Sequence, residues 1–156
     1  MASKRHERTT ARRVALQVLY TAEIKGASAA QIMAEGVFPS EEGLLSEYAQ
    51  DLVRGVEQNR IVIDGSLKAA AENWSLGRMP IVDRSILRLA AYEIMFVQDV
   101  PTSVAINEAV ELAKDFGGED DSPRFVNGVL GRIAKDIDDG VAAAPAGDDP
   151  AQPLVL

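Results

Sequence analysis

IVDRSILRLAAYEIMFV, residues 81–97, is the stretch whose reading decides the fold. From Ile86 onward apolar side chains fall on every side of a helical repeat: Ile86, Leu87, Leu89, Ala90, Ala91, Tyr92, Ile94, Met95, Phe96 and Val97. A helix that is apolar all round is buried all round, so other helices must surround it. Arg88 and Glu93 are the only charged residues between Ile86 and Val97. A lone charge taken out of water is too costly to keep, so each must be paired internally or must emerge at a binding surface. The pattern predicts a central helix over 81–97, broken by Asp99, Val100 and Pro101.

Helical patterns also account for the chain on either side. Thr9 or Thr10 is placed to cap a first helix that runs to residue 25, with Gly26 just past its end and Val14, Ala15, Val18, Leu19 and Ala22 as its apolar stripe. Ser28 followed by Gln31 makes a capping box for a short second helix closed by Gly36. A third helix is predicted over 44–58 and a fourth over 61–74, where Gly65 weakens the helix or marks a close contact. FPSEEG (38–43) and SLGRMP (75–80) are loops. A sixth helix ends at residue 116 before Gly117 and Gly118, with Ile106, Ala109, Val110 and Ala113 facing inward.

The seventh helix, over 122–137, opens on SPRFVNGVLGRI. Ser122 is placed to cap it and Pro123 stands at its first position. Val126, Val129, Leu130 and Ile133 form its stripe, while Arg124 and Phe125 sit in the exposed first turn. Gly128 and Gly131 each cost about 1 kcal/mol in a helix interior, so they are expected to make room for a neighbouring helix. No strand with alternating polarity appears, and IVI at 61–63 is too brief to seed a sheet. The fold class is all-α, about seven helices in one compact domain.

Composition bounds the function. The length of 156 residues fits one domain, and an apolar content of 47% with only 5% aromatics predicts an aliphatic core. The absence of cysteine excludes disulfides and thiolate metal sites and fits a reducing compartment. No run of about 18 apolar residues is present to span a membrane, and MASKRHERTTARR is charged with no apolar segment behind it, unlike a secretory signal. A cytoplasmic location is expected. The net charge of -8 speaks against nucleic acid, but its distribution reverses that argument. Lys4, Arg5, Arg8, Arg12 and Arg13 face only Glu7 within residues 1–13, whereas residues 136–156 carry aspartates and no cation. Arginine suits bidentate phosphate contact and stacking on bases. The expected organisation is a disordered basic arm over 1–8, a folded domain over 9–137 and a disordered acidic tail over 138–156.

No catalytic constellation is visible. His6 lies in the basic arm, where no fixed partner can orient it as a base. GGEDD (117–121) follows a helix and lacks the Lys-Ser/Thr of a phosphate loop. Glu119, Asp120 and Asp121 fit an acidic first helical turn better than a cation site. Glu108 and Glu111 fit a solvated helix face. Neither a metal nor a cofactor is expected.

Four blocks, ARRVALQVLY (11–20), DRSILRLAAYEI (83–94), VAINEAVELAK (104–114) and SPRFVNGVLGRI (122–133), resemble in order and spacing the NusB family of bacterial transcription antitermination factors. The resemblance implies two small helical bundles and no catalysis. It implies that a small-subunit ribosomal protein doubling as NusE is the partner, and that the pair binds the single-stranded boxA element of ribosomal RNA leader transcripts. The complex then joins RNA polymerase and suppresses premature termination. Carried over by position, Lys4, Arg5, Arg8, Arg12, Arg13, Arg88, Arg124 and Phe125 are the RNA-binding residues, and Tyr20 and Asp83 face the protein partner. Arg124 and Phe125 fit the role physically, since single-stranded RNA is read by aromatic stacking beside cations. The family includes both monomers and homodimers. Two other readings remain: a NusB-like module assisting ribosomal RNA modification, for which this chain lacks the Gly-rich cofactor loop, and a helical adaptor that binds only protein.

Overall fold

The computed structural model describes residues 3–36, 45–72 and 74–140, and every regular element among them is helical. In chain order they are α1 (Lys4–Lys25), α2 (Ala29–Glu35), α3 (Glu47–Gln58), α4 (Arg60–Ala70), a single 3-10 turn (Leu76–Arg78), α5 (Ile81–Phe96), α6 (Thr102–Phe116) and α7 (Ser122–Asp138). Each of the seven expected helices is present. The FPSEEG loop and most of the expected acidic tail, from residue 141, lie outside the described residues.

The start of α1 corrects the sequence reading. Residues 4–8 are helical rather than disordered, and neither Thr9 nor Thr10 is the cap. Ser3 is the cap: its side chain accepts a hydrogen bond from the His6 N–H, and Glu7 in the first turn favours the positive end of the helix dipole. At the other end Gly26 closes α1 in the left-handed region at φ 64°. The Ser28 side chain accepts from the Gln31 N–H as the capping box requires, and Ser46 does the same for Ala49 at the head of α3. SLGRMP is not all loop, since its centre forms the 3-10 turn.

Helix α5 is the hub. It packs on α1, α3, α4, α6 and α7. Ile86, Leu87, Leu89, Ala91 and Met95 are fully buried in it. They join Leu16 and Val18 of α1, Leu52 and Val53 of α3, and Val126, Leu130 and Ile133 of α7 in one continuous core.

The glycines are redistributed. A Cβ on Gly128 or Gly131 would meet nothing within 4 Å, so neither makes room for a helix as expected. Gly65 is equally open. The close approaches are elsewhere: a Cβ on Gly55 would overlap the Tyr92 ring, and one on Gly117 would overlap the Ala113 carbonyl oxygen. Backbone cannot swing aside as a side-chain tip can. Gly117→Ala should therefore cost about 1–3 kcal/mol of stability, as overpacking does, whereas Gly128→Ala should stabilise by about 0.5–1 kcal/mol. Denaturant melts of the two variants would test the contrast; equal shifts would refute it.

Candidate nucleic-acid interface

Successive residues on a helix point about 100° apart, so the adjacent arginines of α1 cannot share a face. Arg12 turns inward and is 4% exposed. Its Nε donates to both Glu93 carboxylate oxygens at 2.8 and 3.0 Å, and its Nη1 donates to Glu108 at 2.7 Å. The Tyr48 hydroxyl donates to Glu93 at 2.5 Å, and the Thr9 hydroxyl bonds Glu108. Burial opposes the Arg12 charge, yet the bond to Glu93 and the surrounding carboxylates hold its pKa above the ordinary value. Burial and then Glu93 push the Tyr48 phenol up. Arg12, expected to contact RNA, is thus held inside the fold, where the Glu93 and Glu108 carboxylates engage its guanidinium.

Arg88 has the same fate. It donates to Asp64 at 2.8 and 3.1 Å and to Glu23 at 2.7 Å, which settles the choice between internal pairing and a binding surface. Arg84 and Arg60 also bond Glu23, so three guanidiniums converge on one carboxylate. Burial would raise the Glu23 pKa, but the hydrogen bonds from Arg84 and Arg88 outweigh it and hold it below the usual range. Asp83, expected to face a protein partner, is 2% exposed. It accepts from the Gly118 N–H at 2.9 Å and from the Ser122 hydroxyl at 2.7 Å. Ser122 is thereby diverted from the expected cap, a position held by Asp121 without a side-chain bond. Asp83 fastens the α6–α7 corner to the head of α5.

The remaining expected residues stay at the surface. Lys4 and Arg5 are exposed. Arg8 donates to Asp99 at 3.0 Å and lies 4.4 Å over the Tyr48 ring, and Lys4 lies 3.7 Å from the same carboxylate. The Arg8 hydrogen bond holds the Asp99 carboxyl below its ordinary pKa. Arg13 donates to Asp115 at 2.7 Å and lies 4.8 Å over the Phe116 ring. Tyr20 is 39% exposed, one turn before Ile24 at 55%, which leaves an uncovered apolar pair on α1. Arg124 is exposed in the first turn of α7 and Phe125 is half-buried beside it.

Two clusters result, at opposite ends of α5. Lys4 and Arg8 gather near Asp99, just past its C-terminus, with Arg5 exposed on the same first turns of α1, while Arg124 and Phe125 start α7, which Asp83 ties to its N-terminus. Helix α5 has 16 residues, so its ends are about 24 Å apart. Arg13 reaches the last turn of α6, the helix that leads into α7. Sequence reasoning missed one residue here. Trp74 lies beyond the end of α4 and packs edge-on against Phe125, with ring centroids 5.7 Å apart at 66°. Its signal is that no helical stripe claims this lone tryptophan.

The NusB family profile matches residues 9–135. The chain is 46% identical over 134 residues to the transcription antitermination protein NusB of Geobacter sulfurreducens, covering 85% of this chain and 96% of that one. It is 50% identical over 128 residues to the protein of the same name from Saccharopolyspora erythraea, covering 81% and 86%. Among solved structures, NusB of T. maritima superposes with a TM-score of 0.73 at 36% identity, covering 86% of this chain and 93% of that one. A structure of the antitermination factors NusB and NusE in complex with double-stranded RNA gives a TM-score of 0.68 at 26% identity, covering 82% and 96%.

The buried charges generate two expected outcomes. Arg12→Ala leaves Glu93 uncompensated in the core and should cost about 3–5 kcal/mol, whereas Arg5→Ala at the surface should stay within about 0.5 kcal/mol. Glu23 has a folded pKa below its unfolded one. Its contribution is thus complete above the unfolded value of about 4.3 and is lost as pH falls through the lower folded value. Glu23→Gln should flatten the acid limb of a stability–pH curve, and an unchanged acid limb would show that Glu23 does not carry it.

Proposed function

The chain belongs to the NusB family, and on that premise we propose that it is a transcription antitermination protein, without catalytic activity, that binds RNA together with NusE. Its RNA is the boxA-type element of ribosomal RNA leader transcripts, and the complex acts with RNA polymerase in the cytoplasm. No helix among the described residues is long and apolar enough to cross a membrane. The observation that carries this reading is the family match across residues 9–135, nearly the whole helical body.

The surface divides the work. Lys4, Arg5 and Arg8 supply phosphate contacts at one end of α5, and Arg13 supplies one beside the last turn of α6. Arg124 and Phe125 supply a cation and a stacking face at the other, beside the amide donors of the α7 N-terminus. Tyr20 with Ile24 offers an exposed apolar pair to the ribosomal protein. Arg12, Arg88 and Asp83 act only by holding the scaffold. The folded unit spans α1 to α7, with residues 4–8 as its helical leading edge.

A gel shift with boxA RNA, with and without the ribosomal protein, tests the reading directly. Removing residues 1–8 should weaken binding and flatten its salt dependence by a log–log slope of about 0.7 for each phosphate no longer neutralised; an unchanged slope would refute the arm's role. Tyr20→Asp should abolish capture of the ribosomal protein while the helical spectrum and melting temperature persist, since the side chain is already exposed. If that variant unfolds, Tyr20 belongs to the core.

A further inference from the structure

Trp74 is the chain's one tryptophan and is 54% exposed. It sits in the short connection after α4, where its backbone N–H donates to the Ala71 carbonyl at 2.8 Å, and its ring stands at 66° to that of Phe125. The two rings form adjoining walls of a small surface cavity of about 60 Å³. Met79, Pro80 and the buried, already bonded Asp83 line it, and Glu119 and Asp121 supply exposed carboxylates. Arg78, on the 3-10 turn, and Arg124 are both exposed nearby in sequence. Among the described residues the other exposed large apolar side chains are Tyr20, Ile24, Ile61 and Val104, and none of these is paired with a second aromatic ring.

These features select a chemistry. An aromatic face left half in water gains most from a flat π-system laid against it. Carboxylates at the rim accept hydrogen bonds from exocyclic amino groups, which nucleobases carry. Cations outside the notch suit the phosphates that follow each base. An apolar peptide would use the rings but neither the carboxylates nor the flanking arginines. The notch is also continuous with Phe125, the stacking residue already assigned.

We propose that Trp74 is a second base-stacking platform, which with Phe125 holds one unpaired nucleobase of the bound RNA. This rests on the reading that the chain binds RNA. It extends the RNA surface from α7 onto the α4–α5 connection and requires that base to be single-stranded.

A lone tryptophan makes the site its own reporter. The full chain is titrated with a fluorophore-labelled single-stranded boxA RNA, with RNA anisotropy reporting binding and protein emission reporting Trp74. Quenching of the emission with the same midpoint as the anisotropy is expected, and an RNA duplex of the same sequence should leave the emission unchanged. Trp74→Ala should weaken binding about 5- to 140-fold, equivalent to about 1–3 kcal/mol of stacking, while Trp74→Phe retains most of the affinity. Trp74→Leu keeps apolar cover without an aromatic face, so it decides the matter if the alanine variant fails to fold. Binding with unchanged emission, wild-type affinity in Trp74→Leu, or emission that answers to the ribosomal protein and not to RNA would each overturn the inference and leave the wider reading standing. No anisotropy change with or without the ribosomal protein would overturn both.

Discussion

Glu93 is a carboxylate with almost no water around it, and the arrangement of the helices answers to that constraint. At 1% exposure on the central helix it must be given donors. They come from two other elements, Arg12 on α1 and Tyr48 on α3, and Arg12 in turn engages Glu108 on α6. Four helices therefore meet at one charge centre. A second centre of opposite polarity lies five residues earlier, where Arg88 gathers Glu23 of α1 and Asp64 of α4. Buried ion pairs are a poor way to gain stability, because desolvation consumes much of the attraction. What they do well is fix register. Pinned at residue 12 and again at residue 23, α1 can neither slide nor rotate along α5 without exposing a bare charge.

That register determines where the surface chemistry falls. With Arg12 inward, Arg13 points outward, and Lys4, Arg5 and Arg8 extend from a rigid helix. At the far end of α5, Asp83 ties down Gly118 and Ser122 and so aims the first turn of α7, with Arg124 and Phe125, at solvent. A stacked strand advances about 3.4 Å per nucleotide. A span of about 24 Å along α5 then calls for an RNA of about seven nucleotides to engage both ends at once.

Much of the fold is legible because helical periodicity is a local signal. The apolar run from Ile86 to Phe96 identifies the central helix, and Ser28, Gly26, Gly36 and Pro101 mark ends that the structure keeps. The site is less legible, for a physical reason that differs by residue. Arg12 groups with the arm by charge, although it shares a helical face with Ala15 and Leu19; periodicity already places it inside. The partners of Asp83 lie 35 and 39 residues away, and no local pattern announces a bond of that kind. Gly128 and Gly131 resemble packing glycines because a helix interior disfavours glycine, yet both open onto solvent; nothing in the structure explains their presence. Trp74 stands out only beside Phe125, and no local pattern links it to a ring on a distant helix.

The acidic net charge is no obstacle to the arm, because at physiological ionic strength a charge is felt over about 8 Å. On the proposed RNA role, what an arriving phosphate meets is the local cluster formed by Lys4 and Arg8 with Asp99. That carboxylate is exposed, and the Arg8 hydrogen bond lowers its pKa. Exposed pairs are weakly held, and exchanging one anion for another leaves both cations satisfied throughout. In this structure Asp99 keeps the Lys4 and Arg8 cations gathered at the first turns of α1. On the proposed RNA role, an arm that is already helical from Lys4 needs less ordering when it binds.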